Sequence, residues 1–254
     1  MLAGMSVEYY TQLERGNLAG ASDSVLEALA RALRLDEAER AHLFDLARAS
    51  NTTAPALRRS PRPKIRPSIH RVLDALGAPA YLRNNRMDIL AANQMCFALY
   101  AGILDPQALP LNLARFIFLD SRSSGFFLDW GTVADDTVAA LRSEAGRNPL
   151  DRDLSDLVGE LTTRSDEFAT RWARHQVRLH RSAAKGIHNT IVGDLQLTGD
   201  ALELPGDDLT LITYTAAADS HAQEQLAFLA SWAGTADREQ QARDTPAPPG
   251  RTKP

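Results

Sequence analysis

Apolar residues recur at helical spacing over most of this chain, and the breaks in that rhythm divide it. Tyr10 and Leu13 fall on one face of a short segment that opens at Ser6 and closes at Gly16. A serine hydroxyl suits a helix N-cap, and glycine is free to take the positive φ that ends a helix. Val7, Glu8, Tyr9, Gln12 and Arg15 point elsewhere, which gives the segment a packed back and a polar front. A helix of that kind, entered through the turn at Leu2-Ala3-Gly4, fits a DNA recognition helix and equally an ordinary amphipathic one. A second helix, capped by Ser22, carries Val25, Leu26, Leu29, Ala30 and Leu33 on its apolar stripe. A third begins near Asp36 with Ala38, Leu43, Leu46 and Ala47 as its stripe. Its acids Asp36, Glu37 and Glu39 fall in the first turn, where the helix dipole favours them.

The rhythm is lost over residues 51–67, where Pro55, Pro61, Pro63 and Pro67 predict an extended linker. Arg58, Arg59, Arg62, Lys64, Arg66 and Arg71 make this region basic, suited to DNA phosphates or simply to a solvated linker. A second domain is predicted over 68–234. It opens with a helix over 68–76, then two short strands over 80–83 and 87–91 around Asn84-Asn85-Arg86. Helices are predicted over 93–100, 111–119, 130–145, 154–163 and 166–175, and strands over 177–181, 187–192, 195–197 and 209–215. A helix over 222–232 closes the domain, and the polar, proline-containing stretch 235–254 is predicted to be disordered. A strand pair, then helices, then sequential strands predict an α+β domain.

Composition narrows the function. The 254 residues are 44% apolar and 24% charged with a net charge of −4, an ordinary globular balance without a global basic field. Cys96, the single cysteine, sits among Met95, Phe97 and Leu99 as a buried thiol, which excludes an internal disulfide and a cysteine zinc site. The six histidines are scattered without metal-ligand spacing, so no metal or other cofactor is expected. There is no Gly-x-Ser-x-Gly, no phosphate loop and no dinucleotide fingerprint, so the chain does not read as an enzyme. No apolar run is long enough to span a bilayer and no signal peptide is visible, so the expected location is the cytoplasm, away from membranes.

On the predicted helix 166–175, Phe168, Arg171, Trp172 and His175 share one face. An aromatic wall beside a guanidinium and an imidazole suits an amphipathic carboxylate ligand. The same pattern fits an aromatic core stripe whose Arg and His bond internally. His180 and His188 read as structural histidines on strands. An enzyme built on Arg171 and His175 lacks both a nucleophile and a metal.

The run Leu2-Ala3-Gly4-Met5-Ser6, then Tyr9-Tyr10, then Leu13-Glu14-Arg15-Gly16, resembles the second half of a phage-repressor-type (XRE) helix-turn-helix. Leu73-Asp74-Ala75-Leu76, Ala78-Pro79-Ala80-Tyr81, Asp88-Ile89-Leu90-Ala91-Ala92-Asn93 and Ala140-Leu141-Arg142 are similar to the MmyB-like transcription regulators. So are Phe168, Trp172-Ala173-Arg174-His175-Gln176-Val177 and Val192-Gly193. His188-Asn189 departs from the family's usual His-Pro.

The resemblance implies a truncated all-α helix-turn-helix domain over 1–50, followed by a PAS-like α+β ligand domain over 68–234. Its partners would be double-stranded DNA and a small apolar ligand such as a fatty acid, and repressor-type motifs imply a homodimer. Ser6, Val7, Glu8, Gln12 and Arg15 would then be the DNA-binding residues. Trp130, Phe168, Trp172 and Tyr214 would wall the ligand cavity, with Arg171 or His175 meeting the carboxylate. The proline-rich linker would couple the domains mechanically. Because the chain starts inside the motif, the alternative is a ligand-binding protein that lacks DNA binding.

Overall fold

The computed structural model describes residue 11 and residues 21–51, 64–174 and 182–244. Ser6, Val7, Glu8, Gln12 and Arg15, most of the linker, His175, His180 and the strand expected over 177–181 lie outside the described residues.

Among the described residues, two helices of defined bounds precede the linker. α1 (Asp23–Leu33) follows Ser22, which stands in extended backbone as an N-cap should. The Ser22 hydroxyl, however, bonds the Ser24 hydroxyl at 2.9 Å and no backbone N–H. α1 ends where Arg34 turns left-handed at φ 54°. α2 (Glu37–Asn51) starts on a reciprocal capping box, in which the Glu39 N–H donates to Asp36 Oδ1 and the Asp36 N–H donates to Glu39 Oε2. Leu26, Leu29, Ala30 and Ala47 bury the facing sides, and Arg40 of α2 pairs with Glu27 of α1.

The second unit is built on one antiparallel sheet, whose strands are β1 (Ala80–Asn84), β2 (Asp88–Ala92), β3 (Leu111–Asn112), β4 (Ser182–Asn189), β5 (Gly193–Leu204) and β6 (Leu209–Thr215), in the order β3-β2-β1-β6-β5-β4. β1 (Ala80–Asn84) and β2 (Asp88–Ala92) form the expected hairpin. β6 (Leu209–Thr215) returns beside β1, followed outward by β5 (Gly193–Leu204) and β4 (Ser182–Asn189). α3 (Pro67–Ala75) covers one face of the sheet, where Leu73, Ala80, Leu82 and Ala91 are buried. Over the other face pack α4 (Gln94–Leu99), α5 (Leu113–Leu119), α6 (Ser123–Phe126), α7 (Trp130–Arg147), α8 (Arg152–Arg164) and α9 (Asp166–Ala173), enclosing the main core. α10 (His221–Asp244) leans on α4 and β5.

Asn93 ties three of these elements together. Its Oδ1 accepts from Ala80 N–H on β1 and from Cys96 N–H in the first turn of α4. Its Nδ2 donates to the carbonyls of Leu73, Leu76 and Ala78 at the end of α3. A buried amide with both ends satisfied in this way fixes the start of the sheet against both helices.

Four boundaries differ from those the pattern predicts. Residues 111–119 were expected to be wholly helical, yet Leu111–Asn112 form a short strand β3 beside β2. Asn112 Oδ1 then caps α5 by accepting from Arg115 N–H at 2.9 Å, so the helix starts after it. The strand expected over 187–192 breaks after Asn189, whose Oδ1 accepts from Ile191 N–H and Val192 N–H. Gly193 follows at φ +80°, and a hairpin results. The three-residue strand expected at 195–197 extends to twelve residues as β5, because it is paired on both sides. Disorder was expected from residue 235, but α10 continues unbroken to Asp244. The stretch Arg238-Glu239-Gln240-Gln241-Ala242-Arg243 has high helix propensity and extends a helix already nucleated by packing.

Candidate functional site

The structure brings three of the predicted wall residues, Trp130, Phe168 and Trp172, together with Arg171, but as a packed cluster. Phe168 is fully buried, stacks on Trp172 with ring centroids 5.5 Å apart and meets the Phe118 ring edge-on at 5.0 Å. Trp130 lies edge-on to Phe118, and its Nε1 donates to Ile117 O and Ser123 Oγ, both at 3.1 Å. The Arg171 guanidinium sits over the Trp130 ring and pairs with Asp135 and Glu167. Arg142 covers the other aromatic, 4.3 Å from the Trp172 ring centroid, and donates to the Trp172 carbonyl. The cations here already have carboxylate, carbonyl or ring partners. Trp130, Phe168, Arg171 and Trp172 form the wedge between α5, α7 and α9 and border neither cavity described next.

Tyr214 is placed elsewhere, on β6, where it does line a cavity. Period-two alternation puts Tyr81 and Arg83 of β1 on the face toward α7, with Ile212 and Thr210 of β6 paired beside them. The next strand carries Gly199 opposite Tyr214 and Ala201 opposite Ile212. Ala183, Gly199 and Ala201 meet Ala140 of α7 across the gap. Small residues on both walls leave a chamber of about 140 Å³ between sheet and helix. At Gly199 a methyl group would come 3.1 Å from the Tyr214 ring, so this strand lies as close to its neighbour's aromatic as a glycine permits.

The chamber has an aromatic end. Tyr100 OH and Tyr214 OH share a hydrogen bond of 2.7 Å, and the Tyr81 ring meets Tyr100 edge-on at 6.1 Å. Burial pushes the phenols of Tyr81, Tyr100 and Tyr214 upward, which keeps them neutral. On one wall Lys185 Nζ pairs with Asp136 Oδ2 at 2.7 Å. At the other end the chamber joins a wider groove of about 550 Å³, and Arg83, Ala140 and Ala201 border both spaces.

Arg83 stands at that neck, half-buried. Its Nη1 donates to the Asn84 carbonyl at 3.2 Å, and among the described residues no carboxylate pairs with it. Burial pulls its pKa down from the usual guanidinium value, the mark of a cation held away from water. Arg83 is not among the residues that helical spacing or family resemblance singles out. The available signal was the alternation in Ala80-Tyr81-Leu82-Arg83, which puts a cation on the same face as a tyrosine in a strand covered on both sides.

α7 connects this cavity to the N-terminal helices. Val133, Thr137, Ala140 and Glu144 form its cavity stripe, while Ala134, Val138 and Leu141 face the core. Gly146 lies on a further side and seats His42 of α2, so that a methyl group at Gly146 would come within 2.6 Å of His42 Nδ1. Burial, and then Arg142, push the His42 pKa down; Asp45 opposes them and Arg147 adds to the lowering.

Among the described residues no group of three or more His, Cys, Asp or Glu side chains could hold a metal ion. Cys96 is buried, and burial pushes its thiol up into the inert range. Among the described residues no helix is long and apolar enough to cross a membrane.

Comparison with known families fits this division of the chain. Residues 1–43 match a helix-turn-helix domain, and residues 65–229 match the MmyB-like transcription regulator ligand binding domain. No curated protein matches the chain. A helix-turn-helix joined to a regulator's ligand-binding domain makes a DNA-binding transcription regulator. With most of its length inside the second match, the chain belongs to the MmyB-like transcription regulators.

Proposed function

We propose that this protein is a one-component regulator whose chamber takes a small amphipathic acid, a fatty acid being the class that the family resemblance suggests. One observation carries the reading. A half-buried guanidinium without a carboxylate partner among the described residues stands at the neck between an aromatic chamber and an open groove. An acyl tail in the chamber would gain roughly 0.8 kcal/mol per buried methylene. The carboxylate would meet Arg83 through charge-assisted, bidentate hydrogen bonds. In this reading Tyr214 remains a wall residue, joined by Tyr81 and Tyr100. Arg83 takes the part that the sequence offered to Arg171 or His175.

The ligand can change DNA affinity only by favouring one conformation over another. α7 is the element positioned to carry that difference, because it walls the cavity on one side and seats α2 through Gly146 on another. DNA contact through Ser6, Val7, Glu8, Gln12 and Arg15, on a homodimer reading two half-sites, is the matching proposal for the N-terminal domain.

Native mass spectrometry of the full chain with saturated fatty acids from hexanoate to dodecanoate tests the site. One adduct per chain is expected, lost in Arg83→Met and in Ala201→Trp, which fills the neck. No adduct, together with a melting temperature indifferent to a panel of saturated fatty acids, would overturn the reading.

A further inference from the structure

The chamber is small. At about 140 Å³ it has under half of the ~300 Å³ at which small-molecule pockets usually begin. That volume is close to the roughly 150 Å³ of a cavity that takes one benzene ring. The walls suit a ring as well. Tyr81, Tyr100 and Tyr214 stand in a near-equilateral triangle, with ring centroids 6.1, 6.3 and 6.2 Å apart and no two of the rings stacked. All three line the chamber, and Phe127 lines it with them. A further ring in this space meets its neighbours edge to face, at the roughly 4.5–7 Å between centroids that aromatic pairs prefer.

The remaining walls are nearly bare. Ala183, Gly199 and Ala201 of the sheet face Ala140 of α7, so the space lies as a layer between sheet and helix. A planar ring enters such a layer already shaped. A polymethylene chain has to give up rotamers and coil to fill it, which costs conformational entropy. Arg83 then sets the reach. It follows Tyr81 by two residues on β1, so the two side chains leave one face of the strand roughly 7 Å apart. A ring beside Tyr81 needs only a tether of about two carbons to bring a carboxylate to the guanidinium at the neck.

We propose that the chamber takes an aryl-substituted short carboxylic acid of the 3-phenylpropanoate class, its ring among the three tyrosines and its carboxylate on Arg83. The inference rests on Arg83 anchoring an acid, as proposed above, and adds the shape of the apolar part.

Isothermal titration of the full chain with three acids of equal carbon number tests it: 3-phenylpropanoate, 3-cyclohexylpropanoate and nonanoate. The cyclohexyl acid keeps the ring and tether and lacks the π-system. Nonanoate keeps the carboxylate and carbon count and lacks the ring. 3-Phenylpropanoate is expected to bind about fivefold more tightly than the cyclohexyl acid, the worth of an aromatic pair beyond its buried area. It is expected to exceed nonanoate by at least about fivefold, since less freedom is lost on binding. Tyr81→Leu keeps an apolar wall and removes one ring, so the phenyl-over-cyclohexyl preference should fall below about twofold in that variant. Equal affinity of the wild type for the phenyl and cyclohexyl acids overturns the proposal whether or not the variant folds. So does an undiminished phenyl preference in folded Tyr81→Leu. Nonanoate binding as tightly as 3-phenylpropanoate overturns the aryl site and leaves the acid anchor standing, whereas binding of none of the three overturns both.

Discussion

Replacing Gly146 with alanine should have opposite effects depending on whether His42 is present. Taken alone, the change favours folding, because glycine inside a helix is less stable than alanine by roughly 0.5–1 kcal/mol. In this structure the added methyl would lie 2.6 Å from His42 Nδ1 and closer still to Cε1. Such a contact is well inside van der Waals distance, so the imidazole must leave its seat or α2 must move away from α7. Overpacking of that sort destabilises by about 1–3 kcal/mol. The net expectation for Gly146→Ala is therefore a loss of about 1 kcal/mol. In a His42→Ala background the obstacle is gone, and the same change should stabilise by roughly 0.5–1 kcal/mol. Urea unfolding of the wild type, both single variants and the double variant measures the difference. A coupling energy above about 1 kcal/mol is expected for two residues in contact. If the two changes add to within about 0.5 kcal/mol, the α2–α7 seat is not formed in solution, and α7 does not join the cavity to the N-terminal helices.

Three further expectations follow from the same geometry. Burial pushes the His42 pKa below that of a free imidazole, so the unfolded chain binds the proton more readily; stability should fall as pH drops below about 6.5, and His42→Gln should flatten that dependence of the melting temperature. Asn93→Ala removes an N-cap and leaves Ala80 N–H buried without its acceptor, so an unfolding titration should show a loss of about 2–4 kcal/mol. Trp172→Ala opens the stacked cluster and should lower stability by about 3–5 kcal/mol while leaving ligand affinity within twofold of wild type, as calorimetry on the folded variant would check.

Local chemistry that spoke through short-range rules was legible in the sequence. The Asp36 start of α2, the β1–β2 hairpin around Asn84-Asn85-Arg86, and the helices at 130 and 154 follow from caps, turns and period. The face shared by Phe168, Arg171 and Trp172 was also legible, since three residues at i, i+3 and i+4 must meet. Which face of the domain they met was not. Helical spacing says that residues share a stripe, not whether that stripe borders a cavity or a neighbouring helix. Asp135, which takes Arg171, lies 36 positions away on another helix. The cavity itself arises from what is missing: Gly199, Ala201, Ala183 and Ala140 leave space only once β5 is paired with β6 and laid under α7. No window of sequence shows that small residues on three separate elements will face one another. Arg83 became significant for the same reason, because its isolation among tyrosines is a product of tertiary packing. Asn189, standing where the family usually has proline, donates to the carbonyls of Ala98 and Leu99 and holds the β4–β5 turn against α4. The exchange therefore supplies hydrogen bonds that a proline could not.

The central claim is that occupancy of the cavity under α7 changes the affinity of the N-terminal domain for DNA. Fluorescence anisotropy measures it directly, with a labelled DNA fragment from the region beside the protein's own gene titrated with the full chain. The titration is run in the absence of ligand and at a saturating concentration of whichever fatty acid binds the most tightly. A shift in DNA affinity of at least about fivefold, in either direction, is expected from a coupling free energy of the usual size, and it should vanish in Arg83→Met. Specific DNA binding whose affinity is the same with the cavity empty and with it demonstrably full would contradict the account.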